Sequence, residues 1–313
     1  MTVLDPIATQ PPADPRFGSV DCVFFVIGAQ KAGTTWLSHY FKAHPNVSVP
    51  EWKEHDYWNM VQGRPNPSRM LAKQRERRTQ FSLTRALVEK LPFTLHARRQ
   101  RAITLALRAT EAPFAPYSAY ADVILENVDG HSKAAGEICP EYALLTAETF
   151  AKMSDLSPNV RFIFLMRDPV ARFVSGARHS LRKAANATQQ TPDGFSAAIQ
   201  KFATTNSRPI VFSRYDRTIE ALEQVVPADR LMYVFFEDLF DQDQVRWICD
   251  FLGVPFVPGK ITSKANSAGK KEVPLLDADR AIIAKALAPV YDFMHARFGD
   301  RLPRKWHESR ALC

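Results

Sequence analysis

Short apolar runs of strand length alternate along the chain with longer stretches whose apolar positions recur at helical spacing. Val23-Phe-Phe-Val-Ile27 is one such run. Val160-Arg-Phe-Ile-Phe-Leu-Met166 is another, bounded by Ser157-Pro158-Asn159 and by Pro169. The pattern predicts strands at 22–28, 133–138, 160–166 and 230–236, with a short one at Val47-Ser48-Val49. It predicts helices at 34–43, 140–152, 169–184, 214–225, 241–252 and 277–298. Strands separated by helical stretches imply parallel βαβ units, hence an α/β fold of three layers with a central parallel sheet and helices on both faces.

The first predicted strand runs into Gly28-Ala29-Gln30-Lys31-Ala32-Gly33-Thr34-Thr35-Trp36-Leu37, a glycine-bounded turn before a helix that opens on two hydroxyl residues. Such a loop turns backbone N–H groups and the positive end of a helix dipole toward one point, which makes a phosphate cradle. The spacing is nearly that of a nucleotide-triphosphate loop, so the fold expected is P-loop-like. Thr34, however, stands where that motif needs a lysine, and the lysine is inside the loop at position 31. The segment resembles the 5′-phosphosulfate-binding loop of sulfotransferases that use 3′-phosphoadenosine 5′-phosphosulfate (PAPS), typically (P/Q)-K-x-G-T-T-x-L after an apolar strand. Gln30, Lys31, Ala32, Gly33, Thr34, Thr35 and Trp36 would then bind the donor, with Trp36 either beside the adenine or, as an aromatic at helical spacing, in the core.

A second motif follows the 160–166 strand: Arg167-Asp168-Pro169, then Ser175. Pro169 suits the first turn of a helix, and Arg167 lies at the carboxyl end of a strand, where α/β sheets place ligand groups. An arginine fork with a hydroxyl is a good donor pair for a phosphate dianion. The pair resembles the family's 3′-phosphate-binding motif, with Arg167 and Ser175 in the roles of its arginine and serine.

Lys53-Glu54-His55-Asp56-Tyr57-Trp58 is similar to the K-E-x-x-[FY]-[FW] segment of carbohydrate-type (heparan-sulfate-sulfotransferase-like) and bacterial members, whose glutamate is the general base. The resemblance implies Glu54 as base, with His55 as its competitor, and Lys53, His55 and Tyr57 on the acceptor side. Gly136-Glu137-Ile-Cys-Pro140-Glu-Tyr142 resembles the family's G-E-x-(S/T)-P-x-Y segment, although Cys139 replaces the common hydroxyl. Arg230–Leu239 with Phe251-Leu252-Gly253 resembles the late strand and E-D-L…F-L-G helix. The loop around Ser263–Lys271 resembles one that closes over the 3′-phosphate, which adds Gly269 and Lys270 to the donor residues.

The 313 residues suit one large domain at 21–313 behind a flexible tail at 1–20, whose first 16 residues hold four prolines and no apolar block. That excludes a secretory leader or membrane anchor in the tail as read. Four scattered cysteines show neither metal spacing nor a disulfide framework, so the expected setting is cytoplasmic; the resemblance implies that no metal is required, because protein cations meet the nucleotide's charges. Forty-one basic against 33 acidic residues leave a net charge of +8. The insert at about 60–115, expected to be largely helical, concentrates it. Between Arg69 and Arg108 stand eleven lysines and arginines against two glutamates. This segment is a solvated face, a surface for an anionic acceptor, a peripheral contact with an anionic membrane surface, or a lid over the acceptor cleft.

The resemblance thus implies PAPS-dependent transfer of a sulfuryl group to a hydroxyl or amine of a carbohydrate, glycolipid or small metabolite. In it, Lys31 neutralises charge on the bridging oxygen. Two rivals stand beside it. A nucleotide kinase or NTPase with an atypical loop would need the missing lysine and a Walker-B aspartate, for which Asp168 is the candidate. A basic nucleic-acid-binding protein would show steeply salt-dependent affinity, and no nucleic-acid partner is expected.

Overall fold

The computed structural model describes residues 13–64, 95–184, 191–260 and 273–313. Strand β1 (Cys22–Gly28) runs into α1 (Thr34–Ala43), then β2 (Val47–Ser48) and the short α2 (Tyr57–Val61). After α3 (Leu95–Glu111) and α4 (Ser118–Ile124) comes β3 (Ala134–Ile138). A 3-10 turn at Pro140–Leu144 and α5 (Ala147–Ser154) lead to β4 (Val160–Met166). Helices α6 (Pro169–Ala184), α7 (Pro192–Ala203), α8 (Arg208–Val211) and α9 (Tyr215–Glu223) precede β5 (Leu231–Phe235). Helices α10 (Gln242–Leu252), α11 (Asp277–Ala286), α12 (Ala288–Phe298) and α13 (Arg304–Arg310) complete the described chain.

All five strands are parallel, in the order β2-β3-β1-β4-β5. Every residue of β1 is buried, as a central strand of a parallel sheet must be when helices cover both faces. The chain leaves β1 for one edge, returns through β3, and then crosses to β4 and β5. The loops after β1 and β4 therefore emerge side by side where the winding reverses, the position at which such sheets leave a crevice.

Several boundaries differ from expectation, each for a local reason. The predicted helix at 140–152 is a 3-10 turn followed by α5, because Thr146 caps a new helix by accepting the Thr149 N–H. The predicted helix at 277–298 is two, α11 and α12; Pro289 cannot donate an N–H and begins the second. Residues 13–20, counted in the tail, pack onto the body. Phe17 is fully buried in a 3-10 turn, and Arg16 ion-pairs with Asp14 (2.9 Å) and Asp122 (2.5 Å).

Of the basic insert, α3 is described, and 69–94 lie outside the described residues. Ala102, Ile103, Ala106 and Leu107 of α3 are buried in one cluster with Trp52, while Arg98, Arg101 and Arg108 are exposed. Glu237, after β5, accepts the Asp168 N–H and the Trp306 indole N–H, both at 3.1 Å, tying the end of β4 to α13. Among the described residues no helix is long and apolar enough to cross a membrane.

Candidate functional site

The loop after β1 doubles back tightly. Lys31 has φ +73° and Gly33 has φ +97°, and the Ala32 N–H donates to the Ala29 carbonyl at 3.1 Å. Gly33 is the N-cap of α1 and has no side chain to cap it; the Trp36 N–H bonds the Gly33 carbonyl at 2.9 Å, so the Thr34 and Thr35 N–H groups are the ones an anion could meet. A Cβ on Gly33 would lie 2.5 Å from Leu239 Cδ2 and 3.1 Å from Phe236, so glycine is required sterically as well as conformationally. Gln30, Lys31 and Thr35 are half-buried, whereas Thr34 and Ala32 are buried, which leaves Ala32 only its backbone to offer. Trp36 is buried: its ring stacks on Tyr40 (centroids 5.7 Å apart, 2° between planes), meets Phe240 edge-on, and its indole N–H donates to the Lys260 carbonyl, so it packs as part of the core.

Arg167, at the end of β4, meets this loop. Its Nη1–H donates to the Lys31 carbonyl (3.5 Å), and the guanidinium lies 4.6 Å from the Phe236 ring centre. Its Nε is buried without a partner. The Tyr215 hydroxyl donates to the Arg167 carbonyl at 2.8 Å and fixes its main chain. Ser175 is half-buried in the second turn of α6. Arg172, one turn into the same helix, is fully buried; its Nε–H donates to Ser213 Oγ (2.8 Å) and its Nη2–H to the Pro209 carbonyl. Burial pushes its guanidinium down to about 10. Arg172 and Tyr215 were missed from sequence because each acts through a partner about 40 or more residues away.

Asp168 is occupied structurally. Its Oδ2 accepts the Ala171 N–H at 2.8 Å as a helix cap, and its Oδ1 accepts the Tyr291 hydroxyl at 2.7 Å. Burial raises its carboxyl above the usual range. Among the described residues no group of three or more His, Cys, Asp and Glu is arranged to hold a metal ion. Gly269 and Lys270 lie outside the described residues.

The Lys53–Trp58 turn is bent by two left-handed residues, Glu54 (φ +64°) and Asp56 (φ +57°). Glu54 is exposed, with Lys53 Nζ 3.6 Å away. Burial lowers the Lys53 ammonium, against the opposing charge of Glu54. His55 and Tyr57, both placed on the acceptor side from sequence, are buried. Tyr57 is fully enclosed and stacks on Tyr120 (4.2 Å, 6°) with Trp58 and Tyr117 around it, so it shapes the wall and presents no surface to an acceptor. His55 donates its main-chain N–H to Glu137 Oε1 (3.1 Å), with Nδ1 2.9 Å from the same oxygen. Tyr120 and Tyr142 donate their hydroxyls to Oε2 at 2.6 and 2.9 Å.

Cys139 Sγ donates to Asp56 Oδ1 at 3.3 Å. Burial pushes the Asp56 carboxyl up from 3.8 to about 7, outweighing that hydrogen bond. A carboxyl raised in the folded state contributes stability that is full below its unfolded value and lost as pH rises through its folded value. Asp56→Asn should therefore gain stability relative to wild type as pH rises from about 4 to about 7, read by urea denaturation at each pH. A constant difference across that window would show that Asp56 does not titrate there.

A parallel sheet with helices on both faces, a glycine-bounded loop after β1 and an arginine closing β4 is a P-loop-like α/β fold. Residues 24–258 match the sulfotransferase family, and the chain belongs to it. Its fold is similar to a sulfotransferase from Alicyclobacillus acidocaldarius (19% identity, TM-score 0.55, covering 91% of this chain and 98% of that one). It also matches the sulfotransferase domain of the Synechococcus PCC 7002 olefin synthase (20% identity, TM-score 0.47, 82% and 78% covered). The sulfotransferase domain of the curacin biosynthetic pathway is a further match (18%, 0.47, 87% and 83%). No curated protein matches the sequence. The protein is a sulfotransferase, and the reaction class is sulfuryl transfer.

Proposed function

We propose that the donor is PAPS and the acceptor a hydroxyl or amine of a carbohydrate, glycolipid or small metabolite. The observation that carries this reading is the meeting of Arg167 with the Lys31 loop, an arginine with a buried unpartnered Nε beside an uncapped helix start. That donor set fits a nucleotide with two separate anionic groups. The Gly33, Thr34 and Thr35 N–H groups and the Thr34 and Thr35 hydroxyls would hold the 5′-phosphate, since the Ala32 and Trp36 N–H groups already bond the Ala29 and Gly33 carbonyls. Arg167 and Ser175 would hold the 3′-phosphate. When bound, PAPS supplies a sulfuryl group on a phosphate leaving group. Lys31 offsets charge on the bridging oxygen, and the Lys53–Asp56 turn provides the proton acceptor, for which the family pattern points to Glu54. The kinase reading loses its Walker-B candidate, since both Asp168 oxygens already accept hydrogen bonds.

Calorimetry tests the donor. Adenosine 3′,5′-bisphosphate should bind at micromolar or tighter affinity. AMP should bind at least about tenfold (~1.4 kcal/mol) more weakly, for want of charge-assisted bonds to the 3′-phosphate. Arg167→Ala should erase most of that gap. Equal affinities in the wild-type protein would remove the 3′-phosphate assignment.

A further inference from the structure

The sheet ladder ends at Met166, one residue before Arg167. Met166 pairs with Phe235, and the Phe236 N–H donates to the Met166 carbonyl at 2.6 Å, whereas helix α6 begins at Pro169. Arg167 and Asp168 therefore lie between two regular elements, and their N–H groups and the Arg167 carbonyl need other partners. Two side chains supply them. The Tyr215 hydroxyl accepts the Arg167 N–H at 3.4 Å and donates to the Arg167 carbonyl at 2.8 Å. Glu237 Oε1 accepts the Asp168 N–H at 3.1 Å. Trp306 of α13 is fully buried and meets both of these holders. Its indole N–H donates to Glu237 Oε2 at 3.1 Å, and its ring lies 5.9 Å from that of Tyr215, centroid to centroid.

We infer that Trp306 is a positioning residue for Arg167, acting through Glu237 and Tyr215, so that α13 sets how well the arginine meets the nucleotide's 3′-phosphate. A guanidinium fork binds a phosphate through directed bonds, and its aim depends on a fixed main chain. With both oxygens engaged, the Glu237 carboxyl has one orientation; without the indole it can turn about its remaining bond to Asp168. The far end of the arginine is held by the same stretch of chain. Its guanidinium lies 4.6 Å from the ring centre of Phe236, the residue next to Glu237. Helix α13 is tied down again one turn on, where Ser309 bonds the Asp168 carboxyl, whose Oδ1 also accepts the Tyr291 hydroxyl of α12. Trp306 left no signal in the sequence as a site residue, because Glu237 lies 69 residues before it and the contact needs the folded body.

The brace itself is tested without any ligand. Trp306→Phe keeps an apolar ring against Tyr215 and Phe235 and removes the indole N–H. In native-state hydrogen exchange the Asp168 amide should lose protection by about tenfold or more beyond the change at the Phe236 and Cys139 amides, which bond the Met166 and Val26 carbonyls. Phe298→Leu loosens the packing on Tyr233 and Phe235 and removes no hydrogen bond, so as the control it should change all three amides alike. If Trp306→Phe does not fold, Glu237→Gln replaces it: its amide nitrogen donates and cannot accept, so one of the two N–H groups loses its partner. A loss shared equally by the three amides overturns the brace.

The consequence for recognition rests on the donor reading proposed above and is measured by calorimetry. Trp306→Phe should keep the affinity for AMP within about twofold and lower that for adenosine 3′,5′-bisphosphate by about five- to tenfold, since the bonds to the 3′-phosphate depend on the arginine's aim. In an Arg167→Ala background the same change should leave the ratio of the two affinities unaltered, because the residue it acts through is gone. Phe298→Leu should leave the ratio unaltered whatever it costs in stability. Equal losses for the two ligands in Trp306→Phe, or a full loss that persists without Arg167, overturn the positioning role. If the wild-type protein does not distinguish the bisphosphate from AMP, the donor reading fails, and hydrogen exchange alone then decides whether Trp306 holds the Arg167 turn.

Discussion

Lys31→Ala should lower turnover by about 10²-fold or more and leave the affinity for adenosine 3′,5′-bisphosphate within roughly tenfold. The asymmetry follows from when the charge appears. In the ground state the bridging oxygen is bonded on both sides, and negative charge accumulates there mainly as the S–O bond breaks. The backbone should not confuse the result. Lys31 sits at φ +73°, and alanine, which also carries a Cβ, meets the same strain, so the loop keeps its shape. Glycine at this position would relax the strain and is the poorer probe. Single-turnover kinetics paired with calorimetry separates the two effects. A variant with wild-type turnover would show that the lysine only completes the loop, and one that loses binding and rate equally would place its charge in ground-state recognition.

Gly33→Ala should be among the most damaging single-methyl changes in the molecule. The added Cβ lies 2.5 Å from Leu239 Cδ2 and 3.1 Å from Phe236, at a φ of +97° that L side chains rarely adopt. Backbone strain of about 1–2 kcal/mol and overpacking of about 1–3 kcal/mol add to roughly 2–5 kcal/mol of lost stability, measurable by urea denaturation. Function should fall further than stability does. Phe236 is the ring beneath the Arg167 guanidinium, so pushing it aside moves the arginine that is proposed to read the 3′-phosphate. Gly18→Ala, where nothing lies within 4 Å of the new Cβ, is the control and should stay within about 0.5 kcal/mol of wild type. A Gly33 variant as stable as that control would mean the loop has room to shift.

The elements that carry the proposed donor site were legible because their signals are local. The runs predicted at 22–28, 34–43, 160–166 and 169–184 coincide with Cys22–Gly28, Thr34–Ala43, Val160–Met166 and Pro169–Ala184. A continuous apolar run, a glycine turn and a proline at a helix start each act within a few residues, whatever the rest of the chain does. The aromatic residues were harder to read. Trp36 and Tyr57 stand next to functional positions in the chain, but a large ring is drawn to whatever apolar surface is near: Tyr40 of the same helix stacks on Trp36, and Tyr120 of α4 stacks on Tyr57.

The sequence alone determined a glycine-bounded loop after β1, an arginine at the end of β4, and a turn rich in titratable groups, since each is a run of adjacent residues with its own backbone logic. Tertiary structure decided what those groups do to one another. The order β2-β3-β1-β4-β5 sets β4 against β1, which brings Arg167 to the Lys31 carbonyl across 136 residues. The same order sets β3 on the other side of β1. Burial then leaves Glu137 no water to solvate it, and it must gather the donors of His55, Tyr120 and Tyr142 from three separate segments. Desolvation and long-range contact arise only when distant segments pack, and neither leaves a local trace in the order of the residues.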